Sequence, residues 1–326
     1  MSCRVESTAR LHFGFGNLSL AHDRLYGSLG VTLDEPRVVV EADPADDHAG
    51  VDCEHEDARE YAERAVDLLD VDGARVRVRE ELPRHVGLGS GTQLALTTFT
   101  AVAGAHGLDP DVRAYAPRLG RGGRSGIGVA GFESGGFVVD AGHPTERFTT
   151  ERPPTGEWSV PPVAAHHDVP EAWRFLVVVP DAEPGRHDAD EEASMRSVVE
   201  SADSSVADRI AGTVFRRVLP AVATGDHTAF GAGVEEVGRL NGRWYADAQG
   251  GVYRPPAGEL VEHLSTRPAV AGAGQSSWGP AVYGVTDADH ADEAREAAHE
   301  ALAAAGVDGD VFVAGPRNHG ATVDHE

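Results

Sequence analysis

A glycine-rich loop between a strand pattern and a helix pattern most constrains how this chain can fold. PRHVGLGSGTQLALTTF, residues 83–99, follows ARVRVREEL, in which polar and apolar side chains alternate as in a strand. Gly87, Gly89 and Gly91 let the backbone turn sharply and approach a ligand closely. Apolar residues then recur at helical spacing, so we expect residues 90–92 in the first helical turn, where N–H groups and the dipole favour an anion such as phosphate. The glycine spacing matches neither a P-loop nor a dinucleotide fingerprint. A glycine-rich turn that caps an ordinary helix is the alternative.

The charge balance indicates the salt concentration to which the protein is adapted and the classes of partner that it can bind. The 326 residues carry a formal net charge of −25, and all 28 basic residues are arginines, because the sequence contains no lysine. Acidic side chains hold water and cations at a surface, and molar salt screens their mutual repulsion, so we expect a halophilic source. The same charge argues against nucleic acid and anionic membranes as partners.

Cysteine content and the N-terminal sequence predict the compartment. Cys3 and Cys53 are the only cysteines, which gives no disulfide framework and favours a reducing interior. The first residues lack a basic-then-apolar signal pattern, and no run of about 18 apolar residues occurs. We therefore expect a soluble, cytoplasmic protein.

Strand and helix patterns along the chain predict an α+β protein of two domains. We predict a strand over 3–15, a pair of strands broken at 34–36, a helix near 58–70, a turn and strand over 126–141, a strand over 174–180, mostly helix over 191–240, and two strands flanking a helix over 280–315. Five prolines between 151 and 173 indicate a linker. The predicted boundaries are a first domain over 1–150, a linker over 151–172 and a second domain over 173–326.

Two further stretches are candidates for ligand binding. RLGRGGRSGIG places Arg118, Arg121 and Arg124 three residues apart in an acidic chain, and guanidinium groups bind phosphate or carboxylate bidentately. The alternative is that these arginines pair with surface carboxylates. GAGQSSWGPAVYG, residues 272–284, is a second glycine-rich and hydroxyl-rich turn, whose serines and tryptophan could instead satisfy a tight turn and fill a core. Two such loops in opposite halves of the chain suggest a cleft between domains.

These strings resemble a known family. PRHVGLGSGTQLAL is similar to the phosphate-binding second motif of the GHMP kinase superfamily, and GAGQSSWGPAVYG takes the place of its glycine-rich third motif. More specifically, RLHFGF, GLGSGTQLAL, LGRGGRSGIG, GGFVVDAG, GQSSWGPAVYG and RNHGA resemble the β-ribofuranosylaminobenzene 5′-phosphate synthase family, with matches from residue 10 to 321. The resemblance implies a two-domain GHMP kinase-like fold with its active site in the interdomain cleft, and a homodimer. Together with the charge, it suggests a halophilic archaeon.

One departure separates this chain from the kinases. Mevalonate-type kinases resemble it here but carry Ser-Gly-Ile-Asp with the aspartate as base, whereas this string is Ser125-Gly126-Ile127-Gly128. A glycine cannot orient or activate an acceptor hydroxyl. The missing lysines also remove a basic residue that many of these kinases place near the transferred phosphate.

The resemblance implies a decarboxylating phosphoribosyl transfer. 5-Phosphoribosyl 1-pyrophosphate would condense with 4-aminobenzoate or 4-hydroxybenzoate and release carbon dioxide and pyrophosphate, as in the biosynthesis of methanopterin-type cofactors. Such a reaction needs anion binding, for which we expect Mg²⁺ to share the charge, and no pyridoxal, nicotinamide or flavin cofactor. Two rivals stay open: an ATP-dependent small-molecule kinase of the superfamily, and a non-catalytic protein that binds a phosphometabolite.

The resemblance also suggests roles for particular residues. His12 is the candidate acid or base, and Asn17 stands where an acidic residue is expected, with Asp23 nearby. Trp278 is expected to stack on the aromatic ring. The predicted ligand-binding residues are Arg10 near the N-terminus, Gly89, Ser90, Gly91, Thr92 and Gln93 around the donor phosphates, Arg121, Arg124 and Ser125 around a second anion, and Gln275, Ser276, Ser277 and Trp278 on the opposite wall.

Overall fold

The computed structural model describes residues 1–45, 50–148, 156–182 and 188–325. The strands are β1 (Cys3–Asn17), β2 (Arg24–Pro44), β3 (Gly50–Asp52), β4 (Gly73–Glu80), β5 (Phe137–Asp140), β6 (His143–Pro144), β7 (Val163–His167), β8 (Trp173–Pro180), β9 (Gly272–Gln275), β10 (Val282–Asp287), β11 (Gly309–Ala314) and β12 (Thr322–His325). The α-helices are α1 (Glu56–Leu69), α2 (Ser90–Ala105), α3 (Val112–Tyr115), α4 (Ile127–Ser134), α5 (Asp188–Ser201), α6 (Ser204–Thr213), α7 (Leu219–Thr224), α8 (His227–Gln249), α9 (Ala257–Ser265) and α10 (Ala291–Ala305). Short 3₁₀ segments occupy Ala116–Leu119 and Thr145–Arg147, and a π-helical segment occupies Val214–Val218.

Two sheets organise the chain. The first runs β12-β1-β2-β4-β3, with β5 and β6 also paired to β2 and β7 paired to β5. The second is antiparallel in the order β11-β8-β10-β9. The chain therefore has the predicted α+β organisation, and its last strand returns to pair with its first.

Strand β2 is continuous where a break was predicted. Val38 and Val40 pair with β1 on one side of Pro36, and Val31 pairs with β1 on the other. The proline lies in the middle of the strand, yet the valines on both sides are fully buried. Their burial against β1 keeps the two halves in one strand.

Two further segment predictions need correction. Residues 127–134 form helix α4 rather than part of a turn and strand, because glycines that favoured a turn here allow close helix packing. Strand β7 lies within the predicted linker and pairs with β5, so this part of the linker belongs to the first sheet. The predicted boundary at residue 150 lies outside the described residues and stays a prediction.

A large core connects the two halves. Phe13 of β1 packs edge-on against Phe230 of α8 and Tyr283 of β10, with ring centroids 5.8 and 4.9 Å apart. All three side chains are at most 1% exposed. Strand β1 is thus packed against the second half of the chain, and the candidate site includes residues of both halves.

Candidate active site

The loop predicted to bind an anion, which we call the cradle, leads into the N-terminus of α2. The helix begins at Ser90, and Gly89 precedes it with φ 89° and no side-chain cap. The N–H groups of Thr92 and Gln93 both donate to the Gly89 carbonyl at 3.0 Å. The first N–H groups of a helix have no carbonyl partner within it, so this end of α2 can receive an anion.

Two arginine side chains lie against the glycines of this cradle. A Cβ at position 89 would lie 3.3 Å from Arg10 Nε, and one at position 91 would lie 3.0 Å from Arg121 Nη1. The Arg121 guanidinium also stacks over the Tyr61 ring, 5.2 Å from its centroid, and donates to the Tyr61 hydroxyl. Glycine at these two positions therefore leaves room for cationic groups at the helix end.

Arg10 is a cation of the site whose charge is not neutralised by a carboxylate among the described residues. Its Nη1 donates to the Gly87 carbonyl at 2.6 Å, while its enclosed Nε has no hydrogen-bond partner. No carboxylate pairs with it among the described residues. Burial lowers the pKa of the guanidinium to about 10, so it is charged at neutral pH. A desolvated cation without a counter-ion is unfavourable, and an anionic ligand would relieve that cost.

The second glycine-rich loop packs directly onto the first. Ser276 donates from Oγ to the Gly87 carbonyl at 2.8 Å and accepts from the His12 N–H at 3.1 Å. A Cβ at Gly87, which has φ +97°, or at Gly279 would collide with the backbone of the opposite loop. The two loops therefore meet backbone to backbone and connect the cradle to β1.

Three predicted ligand residues have their side chains turned inward. Ser276 is fully buried and bridges the two loops. Gln93 is 1% exposed and donates to the Gly128 carbonyl at 3.0 Å, and Gln275 accepts from Arg254 N and donates to Ser277 O. Ser276 and Gln275 therefore use polar atoms within the protein, whereas the buried Oε1 of Gln93 has no hydrogen-bond partner, and contact of these side chains with substrate stays a prediction.

A pocket adjoins the cradle where β1 meets α8. Its cavity volume is about 50 Å³, within a wider cleft of about 440 Å³ that includes open solvent, and its lining contains no Asp, Glu or Arg side chain. The Trp278 ring forms one wall and lies edge-on to Tyr245, with centroids 4.4 Å apart. Aromatic and amide groups dominate the lining: His12, Phe13, Gly14, Phe15, Gly238, Asn241, Gly242, Tyr245, Gln249, Val252, Tyr253, Gln275, Ser277 and Trp278. Such a lining suits an uncharged aromatic group.

His12 belongs to the lining of the pocket. It is 4% exposed, its Nδ1 has no hydrogen-bond partner, and its ring contacts Phe15 edge-on at 5.0 Å. Burial, followed by the charge of Arg10, lowers the pKa of His12 to about 3. The imidazole is therefore neutral at physiological pH. Arg10 and His12 are two residues apart in one strand, so their side chains share a face of the sheet.

Asn241 of α8 fixes the strand beside His12. Its Oδ1 accepts from Phe15 N at 2.7 Å, and its Nδ2 donates to Phe15 O at 2.9 Å. At Gly14 the register of β1 shifts, and a Cβ there would lie 2.7 Å from Asn241 Cγ. Sequence reasoning missed Asn241, since the contact spans 226 residues and no local pattern marks it.

Helix α4 brings a second helix N-terminus to the same face. Ser125 and Gly126 precede it, and the buried Asp140 accepts from Gly126 N and Gly142 N, both at 2.8 Å, and from the Ser28 hydroxyl. Burial raises the pKa of Asp140 against the opposing effect of these hydrogen bonds. Ser28 and Asp140 were not predicted as site residues, although Asp140 belongs to the string GGFVVDAG.

Gly128 explains the absence of the kinase aspartate. A Cβ at this position would lie 3.2 Å from Thr92 Cγ2, so α4 approaches the first turn of α2 more closely than a side chain comfortably allows. The kinase carboxylate is thus absent from the sequence, and a side chain at this position would require Thr92 to shift by a few tenths of an ångström.

The other residues singled out in the sequence have local contacts. Arg124 and Ser125 are in the loop before α4, and the Arg118 guanidinium lies over the Tyr115 ring, 5.8 Å from its centroid. Asn17 closes a turn by donating to Ser19 O and Arg24 O. In the part of the chain that the structure describes, no three His, Cys, Asp or Glu side chains come together as a metal site.

Comparisons with known proteins identify the family. Models of the GHMP kinases N terminal domain and the GHMP kinases C terminal domain match residues 57–136 and 218–304. A relative from Methanothermobacter thermautotrophicus, beta-ribofuranosylphenol 5′-phosphate synthase, is 33% identical over 329 residues that cover 97% of each chain. A protein of the same name from Archaeoglobus fulgidus is 28% identical over 289 residues, covering 88% of each. Lactococcus lactis galactokinase complexed with galactose matches the fold with a TM-score of 0.70 at 13% identity, over 98% of this chain and 95% of that one. The chain therefore has the GHMP kinase fold and belongs to the beta-ribofuranosylphenol 5′-phosphate synthase family of enzymes.

Proposed function

We propose that this enzyme condenses 5-phosphoribosyl 1-pyrophosphate with 4-hydroxybenzoate, releasing carbon dioxide and pyrophosphate. The observation that carries this proposal is the Arg10 guanidinium, a cation without a carboxylate partner among the described residues, beside the N-terminus of α2. In a chain of net charge −25, positive potential concentrated at one place favours a polyanionic substrate. The relatives' name contains a phenol, which favours the hydroxylated acceptor over 4-aminobenzoate.

The reaction divides between the cradle and the pocket. Pyrophosphate leaves C1 of the ribose with the bonding electrons, and the ring carbon that bears the carboxylate attacks C1. Loss of carbon dioxide returns the electron pair to the ring and restores its aromaticity. The para hydroxyl lies at the opposite end of the ring from the attacking carbon. We therefore place this hydroxyl in the uncharged pocket and the carboxylate at the pocket mouth, facing the cradle.

His12 is proposed to accept the hydroxyl proton. After the new carbon–carbon bond forms, the para hydroxyl belongs to a cationic ring and is strongly acidic, so a weak base is sufficient. A pKa of about 3 keeps the imidazole free of a proton and ready to accept one. The proton returns to the phenolate oxygen after decarboxylation.

The remaining groups bind and orient the substrates. We propose that the N–H groups of Ser90 and Gly91 and the Arg10 and Arg121 guanidiniums hold the donor's diphosphate. Arg124 is proposed to bind its second phosphate, and Trp278 to contact the aromatic ring.

Several expectations stay predictions. The described residues offer no cluster of metal ligands, so we propose that Mg²⁺ arrives bound to the diphosphate, as is usual for this ion, and no step above depends on it. In the described residues, no helix combines the length and apolarity needed to cross a bilayer. A cytoplasmic location, a homodimer and a role in methanopterin-type cofactor biosynthesis are part of the proposal.

The test follows both leaving groups. Purified protein in concentrated potassium chloride is incubated with the ribosyl donor and carboxyl-labelled 4-hydroxybenzoate, without ATP. We expect labelled carbon dioxide and pyrophosphate in equal amounts, and their loss in the Arg10→Met variant. Pyrophosphate without carbon dioxide would contradict the proposed chemistry.

Parallel incubations address the two rivals. Consumption of ATP with a small-molecule alcohol would favour a kinase, a reading that the relatives and Gly128 do not favour. Tight binding of the donor without turnover of either benzoate would favour a binding protein.

A further inference from the structure

Asp140, Ser28 and Ser125 form a chain of hydrogen bonds, which we call the hydroxyl relay. Ser28 has a single hydroxyl proton, and it donates that proton to Asp140 Oδ2. Asp140 also accepts from two backbone N–H groups, so the carboxylate form satisfies every donor around it. The Oγ atoms of Ser28 and Ser125 lie 2.6 Å apart. Because the Ser28 proton is already used, Ser125 must be the donor of this second bond.

The direction of the relay fixes what Ser125 can offer a ligand. With its only proton directed to Ser28, its oxygen presents lone pairs alone. Ionised phosphate and carboxylate oxygens carry no proton, so they cannot donate to it. The sequence-based prediction that Ser125 helps to bind such an anion is therefore inconsistent with the relay, and Ser125 needs a ligand group that donates.

The placement of Ser125 selects that group. Ser28 pairs in register with Phe15, and Gly30 pairs with His12, so these positions share the face of the sheet that carries the site. Ile127 covers Gly30 and Gly128 packs on Thr92, so the start of α4 lies over this face and beside the cradle. In the ribosyl donor, the hydroxyls on C2 and C3 follow C1, which bears the diphosphate, so they lie beside the group that the cradle is proposed to hold.

We propose that Ser125 accepts a hydrogen bond from a ribose hydroxyl and thereby selects ribosyl over deoxyribosyl donors. This inference rests on the proposed function for the identity of the sugar. It makes Ser125 a specificity-determining residue, while Ser28 and Asp140 are positioning residues that set the direction of its proton.

The test measures binding, so it does not depend on turnover. Calorimetry compares ribose 5-phosphate with its 2-deoxy and 3-deoxy analogues on the wild type and on Ser125→Ala. We expect the wild type to prefer the ribose ligand about ten-fold over one analogue, equivalent to ~1.4 kcal/mol for one hydrogen bond. Ser125→Ala should bind that analogue and ribose 5-phosphate about equally. Ser201→Ala, on an exposed helix position, is the matched control and should keep the preference.

A second variant tests the relay itself. In Ser28→Ala the Ser125 hydroxyl loses its acceptor and is no longer fixed with its lone pairs toward the ligand, so the preference should fall while phosphate binding persists. A preference that Ser125→Ala retains, or a wild type that binds all three ligands equally, would overturn the inference. Selection between 4-hydroxybenzoate and benzoate that depends on Ser125 would also overturn it, because Ser125 would then contact the acceptor. Failure to release carbon dioxide would reject the proposed function but leave the sugar-binding result unchanged.

Discussion

Arg10, which is partly buried, and Arg317, which is buried, differ in what neutralises their charge. Arg317 is 7% exposed, and its Nη1 lies 2.9 Å from Glu6 Oε1, with further bonds to Gly320 and Thr322. Arg10 has a carbonyl partner, Gly87, and no carboxylate partner among the described residues. The first arrangement satisfies a cation within the fold, whereas the second leaves a charge that a ligand can satisfy.

Replacing each arginine with methionine should separate these roles. We expect Arg10→Met to weaken pyrophosphate binding about ten- to a hundred-fold, because charge-assisted hydrogen bonds contribute roughly 1.5–3 kcal/mol. It should leave the melting temperature unchanged or raise it, since a desolvated charge is removed. Arg317→Met should lower the free energy of unfolding by about 1–3 kcal/mol and leave binding intact. Calorimetry and chemical unfolding measure both effects, and the reverse pattern would contradict the assignment.

His12 should make stability depend on pH in the acidic range. Its pKa is about 3 in the folded chain against 6.5 for an ordinary histidine, so below pH 6.5 the unfolded chain binds a proton that the folded chain does not. His12 therefore does not lower the free energy of unfolding above pH 6.5. As the pH falls from 6.5 toward 3, the free energy of unfolding decreases by about 1.4 kcal/mol per pH unit. Urea unfolding of the wild type and of His12→Gln between these limits should show a shallower decline in the variant. Parallel curves would show that His12 does not titrate as inferred.

At the scale of elements, periodic segments were predictable and glycine-rich ones were not. Helices α1 and α2 and strands β1, β4 and β8 follow clear hydrophobic patterns, and their predictions are confirmed. Helix α4 was missed because Gly126, Gly128 and Gly131 suggest a turn when read locally. Their role is visible only across the fold, where Gly131 packs on Thr32 and Gly128 on Thr92. The partners Ser28, Asp140 and Asn241 were missed for the same reason, since each acts through long-range contacts.

The contact between α4 and α2 predicts that the kinase aspartate cannot simply be restored. Gly128→Asp should produce no ATP-dependent phosphorylation and should destabilise the fold by roughly 1–3 kcal/mol, because its Cβ crowds Thr92. Gly128→Ala isolates the steric part, and Thr92→Ser removes the Cγ2 that it meets. We therefore expect the double variant Gly128→Ala with Thr92→Ser to recover part of the stability lost in Gly128→Ala. Thermal unfolding of the wild type, Gly128→Ala, Thr92→Ser and the double variant measures this coupling. Purely additive losses of stability would count against the contact.

At the scale of the whole molecule, the site combines distant parts of the chain. Strand β1 carries Arg10 and His12, α8 holds that strand through Asn241, and the loop after β9 packs on the cradle. Local sequence patterns identified the two glycine-rich loops, but only the fold shows that these loops contact each other. The acidic surface around this site has no comparable local pattern, and its effect is the sum over many residues.

That surface predicts a protein adapted to high salt. If each of the 28 arginines paired with one carboxylate, 25 of the 53 acidic residues would still lack a partner. Repulsion among them extends over about 30 Å at about 0.01 M salt but only about 3 Å at about 1 M, so stability should rise with salt. The same field repels the anionic donor, so its Michaelis constant should first fall as potassium chloride increases from about 0.1 M and then rise as chloride competes for the cradle. Melting temperature and the Michaelis constant, measured up to about 3 M, test both trends. A protein that is most stable and binds its donor most tightly at the lowest salt would refute the halophilic adaptation.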